Sequence, residues 1–294
     1  MKTSSDRLFR FVFDHSPIRG QLVSLDASWR KCLRNSDASR QANQLLGQAL
    51  AAVTLLASTL KIQGKMILQI RGQGAVHLLV VEATHDHNVR GMVRQNREIE
   101  DPQASLQQIF GADKIVITID NGNAQPYQGI VPLTGDTLAE ALEHYFQQSD
   151  QLPTRLWLAS DEHSVAGLLL QQLPDDNVAE DDDSWNRVTH LASTVRAEEL
   201  LTLDAAEVLH RLFHEESLRL FDPDPLSFRC SCSRQRIADM IKSLGRDEAQ
   251  DILQQQGGIT VNCEFCNAQY DFDAVDVEQI FAATTPLPAH QTEQ

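Results

Sequence analysis

Hydrophobic residues in the first part of the chain recur with the spacing of an α-helix. Between about residues 38 and 60, apolar side chains are three or four residues apart and share one helical face. They are Leu45, Leu46, Ala49, Leu50, Val53, Leu56 and Leu60. The most apolar window, residues 49–60, is well short of the roughly 20 residues that span a bilayer. The pattern therefore predicts a buried helix.

After this helix, the pattern changes to short runs rich in β-branched residues and separated by Gly, Asn or Asp. They predict strands of an antiparallel meander at residues 66–70, 76–81, 115–119 and 127–131. A helix is predicted at about residues 136–148, with further strands around Trp157 and residues 168–170. Together these elements predict an α+β core domain of sheets and helices over residues 1–174.

The composition changes at residues 175–222, which we interpret as an acidic, amphipathic helical linker. Residues 175–200 contain eight acids and two arginines, a local net charge of −6. Apolar faces predict two docked helices, the first with Val188, Leu191, Ala192 and Val195, the second with Val208, Leu209, Leu212 and Phe213. The sequence Asp204-Ala-Ala-Glu207 is typical of a capping box at the start of the second helix.

Residues 223–285 predict a small C-terminal domain, and residues 286–294 a frayed tail. Pro223 and Pro225 separate this domain from the linker. The predicted elements are helices at residues 233–244 and 247–256, a strand at 259–262 and a short helix at 275–282.

Four of the five cysteines lie within 37 residues of this C-terminal domain. They are Cys230, Cys232, Cys263 and Cys266, in the order C-x-C, thirty intervening residues, C-x-x-C. Two close pairs from separate segments are the usual way to assemble a tetrahedral four-cysteine zinc site. Because no histidine lies between His214 and His290, we predict a closed, structural site with one zinc ion per chain. Asn267, directly after the last cysteine, suits the left-handed turn of such a knuckle.

The spacing leaves two roles open for this site, a zinc ribbon that only stabilises the domain or a redox-sensitive site. Structural zinc contributes on the order of 10–16 kcal/mol of coupled folding free energy. This matches the roughly 5–15 kcal/mol stability of a whole domain, so we expect loss of the metal to unfold the module. An oxidant can cause that loss, because it converts thiolate ligands into disulfides.

The charge of the chain argues against a nucleic-acid partner. Its 25 basic and 41 acidic residues give a net charge of −16, whereas affinity for nucleic acid rests on Lys and Arg. A zinc ribbon that docks nucleic acid or a transcription complex is the alternative function, although the charge between Cys230 and Cys266 is −1.

Charged residues interrupt the apolar positions of the first fifteen residues, so we expect no signal peptide, a cytoplasmic protein and no membrane partner.

Other polar motifs do not predict a site. Gly72-Gln73-Gly74 lacks the next glycine of a dinucleotide-binding motif and is predicted to be a strand turn. His85-Asp86-His87 is predicted to be a polar loop, and Ser160, Asp161 and His163 are sequence neighbours in another loop. Cys32 matches no motif and is predicted to be a small, half-buried hydrophobic residue. The sequence therefore predicts no catalytic residues and no enzyme.

Two segments resemble one known family. RCSCSRQR, residues 229–236, with CEFC thirty residues after its second cysteine, is similar to the cysteine switch of the bacterial redox-regulated holdase chaperones, the thirty-three-kilodalton heat-shock family. Residues 127–156, YQGIVPLTGDTLAEALEHYFQQSDQLPTRL, resemble the core domain of that family. The three-part layout of core, linker and cysteine domain matches as well.

The resemblance implies an ATP-independent chaperone that is inactive with zinc bound. The same four cysteines would be zinc ligands and switch residues: oxidation would release zinc and form the disulfides Cys230–Cys232 and Cys263–Cys266. The linker would then open, and the protein would hold unfolding or oxidatively damaged clients. The resemblance also implies a homodimer in the oxidised state, with ATP-dependent refolding chaperones acting downstream.

We further predict that residues 175–221 are the bistable element that converts zinc loss into activity. Their apolar residues need a neighbour, which we expect to be the core sheet, and each burial contributes roughly 1.5–3 kcal/mol. They are Val188, Leu191, Val195, Leu209, Leu212 and Phe213. Mutual repulsion among the acids would keep the docked state only marginally stable.

Overall fold

The computed structural model describes residues 6–34, 36–60, 62–122, 125–149, 152–174 and 183–282. The chain divides into two compact units, Met1–Arg229 and Cys230–Gln294. The predicted domain boundaries at residues 174 and 222 remain a prediction. The linker helices belong to the same compact unit as the core, which does not show where the linker begins or ends. The predicted tail and five linker acids lie outside the described residues; these acids are Asp175, Asp176, Glu180, Asp181 and Asp182.

The first unit is built from strands and helices in alternation, in agreement with the predicted α+β class. Its core elements in chain order are β1 (Arg7–Phe13), β2 (Ile18–Leu25), α1 (Ala27–Leu33), α2 (Arg40–Thr59), β3 (Lys65–Arg71), β4 (Val76–Thr84), β5 (Asn88–Gln95), α3 (Leu106–Phe110), β6 (Lys114–Asp120), β7 (Tyr127–Pro132), α4 (Leu138–Ser149), β8 (Thr154–Ser160) and β9 (Val165–Gln172). Its remaining elements are α5 (Ser184–Ala192), α6 (Ala197–Thr202), α7 (Ala205–Phe213), β10 (Leu218–Leu220), β11 (Asp224–Pro225) and β12 (Ser227–Phe228).

These strands form two six-stranded sheets. The first sheet has the order β10-β1-β2-β9-β8, with β11 also paired to β1, and the second has the order β12-β5-β4-β3-β6-β7. The prediction of a meander is wrong at β6, which pairs with β3 rather than with β4, whose edge is taken by the unpredicted strand β5. The reason is the long connection after β5, which contains α3 and carries the chain back to the free edge of β3.

Helix α2 packs against strands of both sheets, which explains its apolar sequence. The Oγ atom of Ser39 accepts a hydrogen bond from the backbone N–H of Ala42 and caps its first turn. The helix approaches β8 and β9 closely at Gly47, where an added Cβ would lie 2.6 Å from Ser160 and 2.8 Å from Val165. The predicted buried helix is thus confirmed, and no helix of the described residues is long and apolar enough to cross a membrane.

The linker helices α5, α6 and α7 pack against the face of the first sheet, as predicted. Their apolar side chains form a hydrophobic cluster with Phe11 and Phe13 of β1 and with Leu168 and Leu170 of β9. The buried members from the linker include Val188, Leu209, Leu212 and Phe213, and Leu191 and Val195 pack at its margin. The docking of the linker on the core sheet is therefore confirmed.

Two details of the linker prediction are wrong. The described residues of the linker, 183–222, contain three helices rather than two, and Val195 follows α5 instead of lying within it. Asp204 is the N-cap residue of α7, but its side chain makes no capping hydrogen bond. Glu207 does not complete a capping box, because its carboxylate pairs with Arg211 one turn later, at 3.1 Å.

Over its described residues, 230–282, the second unit consists of three helices and a β-hairpin. Its elements are α8 (Arg234–Leu244), α9 (Arg246–Gln256), β13 (Ile259–Asn262), β14 (Gln269–Phe272) and α10 (Ala274–Ala282). The predicted helices and the strand at residues 259–262 are confirmed, whereas β14 was not predicted. The core contains five buried apolar residues: Ile241, Ala249, Ile259, Phe272 and Val277. A core of this size rarely supplies more than about 3–5 kcal/mol of stability.

Candidate metal centre

The four predicted cysteines meet in the second unit. Cys230 and Cys232 lie in the segment before α8, Cys263 follows β13, and Cys266 precedes β14. Their Sγ atoms all lie within 4.8 Å of one another. The Sγ–Sγ distance is 3.5 Å between Cys230 and Cys263 and 3.3 Å between Cys232 and Cys266.

This arrangement fits a tetrahedral thiolate site. Four sulfurs at about 2.3 Å from one Zn²⁺ ion are about 3.8 Å apart, close to the two Sγ–Sγ distances. Thiolates are soft ligands that favour Zn²⁺ over hard cations such as Mg²⁺ or Ca²⁺. The described residues contain no other group of three or more His, Cys, Asp or Glu side chains with such spacing. The cluster can therefore hold one metal ion with four thiolates.

A tight turn after β13 brings the second cysteine pair into position. The backbone N–H of Cys263 donates to the carbonyl of Ala268 at 2.9 Å, and the N–H of Asn267 donates to the carbonyl of Cys263 at 2.7 Å. Asn267 has φ +56°, in the left-handed region that Asn tolerates better than most residues. The role predicted for Asn267 is thus confirmed.

Arg236 holds the segment between the first two cysteines. Its guanidinium donates to the carbonyl oxygen of Ser231 at 3.0 Å and to the Oγ atom of Ser231 at 2.6 Å. The Oγ atom of Ser233 accepts from the backbone N–H of Arg236 at 3.2 Å and starts α8. The C-x-C segment is therefore tied to the first turn of the helix that follows it. The sequence did not predict this contact, because the backbone of the C-x-C segment is irregular.

Tyr270 on β14 is a second residue that sequence analysis missed. Its hydroxyl donates a hydrogen bond to the Sγ atom of Cys232 at 3.2 Å. Tyr270 packs against the apolar core of the unit, two positions before the buried Phe272. The two-residue alternation of a strand was the signal that could have placed Tyr270 on the inner side.

The thiols influence the pKa values of one another. Burial raises the pKa of Cys230, but hydrogen bonds from the N–H of Cys232 and from neighbouring thiols outweigh it and lower the value to about 7. Burial and the neighbouring sulfurs raise the pKa of Cys266. Four adjacent thiols without a cation therefore share protons, whereas a bound cation favours four thiolates.

The fifth cysteine lies apart from this cluster, in the core of the first unit. Cys32 on α1 is 3% exposed, so it is fully buried rather than half-buried as predicted. Burial raises the pKa of its thiol to about 12. A protonated, inaccessible thiol reacts poorly with oxidants.

The other polar motifs do not form a site. His85-Asp86-His87 is the turn between β4 and β5, and residues 72–74 are the turn between β3 and β4. The Oγ atom of Ser160 donates to the carbonyl of Gln44, and the Asp161 carboxylate accepts from the N–H groups of His163 and Ser164, each at 2.7 Å. These bonds stabilise a loop and leave no catalytic triad.

Comparisons with known proteins agree with this geometry. A family model described as Hsp33 protein matches residues 6–273. The chain is 47% identical to the 33 kDa chaperonin of Nitrosococcus oceani over 287 residues, 98% of each chain. It is 46% identical to the 33 kDa chaperonin of Pseudomonas aeruginosa over 282 residues, 95% of each chain. The crystal structure of the 33 kDa chaperonin from Thermotoga maritima has the same fold, with a TM-score of 0.79 at 22% identity, and covers 95% of this chain and 98% of that one. This chain therefore belongs to the Hsp33 family of 33 kDa chaperonins.

Proposed function

We propose that this protein is a redox-regulated, ATP-independent holdase chaperone that holds unfolding proteins under oxidative stress. The observation that carries the proposal is the cluster of four thiols, all within 4.8 Å, in a unit with only five buried apolar residues among those described. Membership of a chaperone family supports the holding of client proteins. The thiol cluster supports a switch, because the small unit around it depends on whatever the thiols bind.

In the resting state, Cys230, Cys232, Cys263 and Cys266 would hold one zinc ion. The closed set of four thiolates suits a structural role, in which the ion supplies folding free energy and no open coordination position. This contribution, on the order of 10–16 kcal/mol, exceeds what the five-residue core provides. Reducing conditions in the cytoplasm would maintain this state.

Oxidation by a peroxide would remove the ligands two electrons at a time. One thiolate of a pair attacks the O–O bond, which gives a sulfenic acid and one hydroxide. The other thiolate attacks that sulfur, forms the S–S bond and expels a second hydroxide. Two peroxide molecules thus convert four thiolates into the disulfides Cys230–Cys232 and Cys263–Cys266. Without thiolates, the chain no longer holds the ion.

The linker would transmit this change to the client-binding state. Its last strand, β10, pairs with β1 of the core, and the two short strands after it, β11 and β12, also pair with core strands and lead directly to Cys230. The helices α5, α6 and α7 cover apolar residues that, once released, can bind unfolded chains. Acidic side chains of the linker would keep the complex soluble.

The proposal includes three further properties that the resemblance implies. The oxidised chain would form a homodimer, its clients would be unfolded or oxidatively damaged proteins, and ATP-dependent chaperones would refold the released clients. No observation favours the alternative of a zinc ribbon that docks nucleic acid.

One experiment tests metal, switch and function on the same sample. Zinc content and suppression of client aggregation are measured on the full-length protein before and after peroxide treatment with mild heat. We expect one zinc per chain and little suppression before treatment, and zinc loss with strong suppression afterwards. Cys32→Ala is the matched control and should behave as wild type. Equal suppression before and after oxidation, or oxidation without zinc loss, would contradict the proposal.

A further inference from the structure

The hydrogen bond from Tyr270 to Cys232 reaches the thiol cluster from outside it. The Tyr270 hydroxyl lies 3.2 Å from the Cys232 Sγ atom. Tyr270 is paired with Val261 across the hairpin, on the strand that follows the C-x-x-C pair. A residue next to one cysteine pair in the sequence therefore contacts the sulfur of the other pair.

The hydroxyl of Tyr270 is held in place by the hairpin around it. The neighbouring Asp271 carboxylate accepts from the Oγ1 atom of Thr260 at 2.7 Å, which links β14 to β13. The guanidinium of Arg234 donates to the carbonyl of Asp271 at 2.8 Å and lies 4.3 Å from the centre of the Phe272 ring. These contacts fix β14 against α8 and aim the Tyr270 hydroxyl at the sulfur.

We propose that Tyr270 is a positioning residue that tightens metal binding by the cluster and slows oxidation of the Cys230–Cys232 pair. The inference rests on the proposed function. Four thiolates around one divalent cation carry a net charge of −2, and a hydroxyl donor aimed at one sulfur offsets part of it. Groups that hydrogen-bond to metal ligands typically contribute about 10–100-fold to metal affinity.

The same hydrogen bond acts on oxidation of the C-x-C pair. One of the two thiolates attacks a peroxide oxygen with an electron pair, which breaks the O–O bond and gives a sulfenic acid and hydroxide. The other thiolate then attacks that sulfur, and the second hydroxide leaves as the disulfide forms. Cys232 is therefore a nucleophile in one of the two steps. The hydroxyl of Tyr270 withdraws electron density from the Cys232 sulfur and so makes it a poorer nucleophile. Tyr270 would thus raise the peroxide concentration needed to oxidise the C-x-C pair.

The test compares Tyr270→Phe with wild type in the reduced, zinc-loaded full-length protein. Phe keeps the packing of the ring and removes only the donor, so a purely structural role predicts no change. The matched control is Tyr127→Phe, because Tyr127 on β7 is 59% exposed and lies in the other unit. The readouts are zinc transfer to a chromophoric chelator, the rate of zinc release under peroxide, and the thiolate-to-cobalt charge-transfer band after substitution with Co²⁺.

For Tyr270→Phe we expect about tenfold weaker zinc retention, faster release under peroxide, and a charge-transfer band at lower energy. Tyr127→Phe should match wild type in all three. If wild type binds zinc and loses it under peroxide but Tyr270→Phe is indistinguishable from it, the inference is wrong and the proposed function stands. If wild type binds no zinc, both the inference and the proposed function are wrong. A Tyr270→Phe protein that binds Co²⁺ with an unshifted band but unfolds more easily would also overturn the inference, because it would show that the hydroxyl stabilises the fold and not the metal site.

Discussion

Phe213 at the end of α7 packs edge-on against Phe13 of β1, with ring centroids 5.2 Å apart and an interplanar angle of 85°. Phe11 completes the group, with its ring centroid 6.2 Å from that of Phe213. Phe213 is 1% exposed, so the last linker helix inserts a full aromatic side chain into the face of the first sheet. This contact anchors the segment that we propose to open on activation.

Substitution Phe213→Ala should therefore release the linker without an oxidant. Truncation of a buried Phe costs about 3–5 kcal/mol, enough to undock a segment that is only marginally held. We expect the reduced, zinc-bound variant to suppress client aggregation and to lose hydrogen-exchange protection in α5, α6 and α7. The control is Phe221→Ala, because Phe221 is 43% exposed. If the reduced Phe213→Ala protein stays inactive and keeps full hydrogen-exchange protection in the linker, then the docked linker is not what keeps the protein inactive.

Glu199 ties α6 to α7 and makes the contact between these two linker helices sensitive to acid. Its carboxylate accepts from the Arg196 guanidinium at 3.2 Å, from the Arg196 backbone N–H at 3.1 Å and from the Arg211 guanidinium at 3.1 Å. These bonds lower the pKa of Glu199 from 4.5 to about 2. The repulsion predicted among the linker acids is thus offset at this position. Because the pKa is lowered on folding, the stabilisation is present above pH 4.5 and is lost as the pH falls towards 2.

Cleavage of the linker by pepsin between pH 5 and pH 2 measures this effect. Wild type should be cut more slowly than Glu199→Gln near pH 5, and the difference should vanish near pH 2. Glu207→Gln is the control, because Glu207 makes an exposed pair with Arg211 within one helix and such pairs are worth little. If the difference in cleavage rate between the two proteins stayed constant from pH 5 to pH 2, the pH dependence would not come from Glu199.

Substitution Cys263→Ser should abolish tight zinc binding and unfold the second unit. The remaining three thiolates and a hydroxyl form a poor ligand set, and the five-residue core cannot replace the lost folding free energy. We expect less than stoichiometric zinc after chelator-free purification and loss of hydrogen-exchange protection in α8, α9 and α10. Cys32→Ala should retain one zinc per chain. Full zinc occupancy in Cys263→Ser would show that the four thiols are not the binding site.

Peptide mapping of the peroxide-treated protein should find the disulfides Cys230–Cys232 and Cys263–Cys266. Two short Sγ–Sγ contacts of the cluster run between the two pairs, from Cys230 to Cys263 and from Cys232 to Cys266. Closure within each pair is nevertheless expected, because it needs no contact between segments once the unit unfolds. Cys32 should stay reduced, since burial raises the pKa of its thiol to about 12. Disulfides that mainly join a cysteine of one pair to a cysteine of the other pair would contradict the prediction.

The sequence predicts those elements whose apolar residues form a clear pattern or an unbroken run. Helix α2 and strands β3, β4 and β6 to β9 are of this kind, and each was predicted. Strand β2 was not predicted, because polar residues interrupt its apolar positions although α2 covers one of its faces and the linker helices cover the other. Its buried Gln21 accepts a hydrogen bond from Ser58 of α2, so a polar residue there does not mark the surface. This strand depends on contacts that are distant in the sequence.

The candidate site shows the same division between local and distant signals. Its four cysteines are identified by spacing, because ligands for one ion must lie in close pairs. Arg236 and Tyr270 are not. Arg236 contacts Ser231 in an irregular segment that no periodicity describes, and the contact of Tyr270 with Cys232 depends on how the hairpin packs against that segment. The sequence distinguishes Cys32 from the four clustered cysteines, because Cys32 belongs to no motif. Its complete burial is evident only from the fold.

Hydrogen exchange of the full-length protein, compared between the reduced, zinc-bound and the oxidised, active states, tests the central claim most directly. The claim is that loss of the metal unfolds the second unit and thereby releases the linker. We predict that deprotection extends from residues 223–282 into residues 183–221 and spares most of the core up to residue 174. A linker that keeps its protection in a protein shown to be oxidised and active would contradict the mechanism.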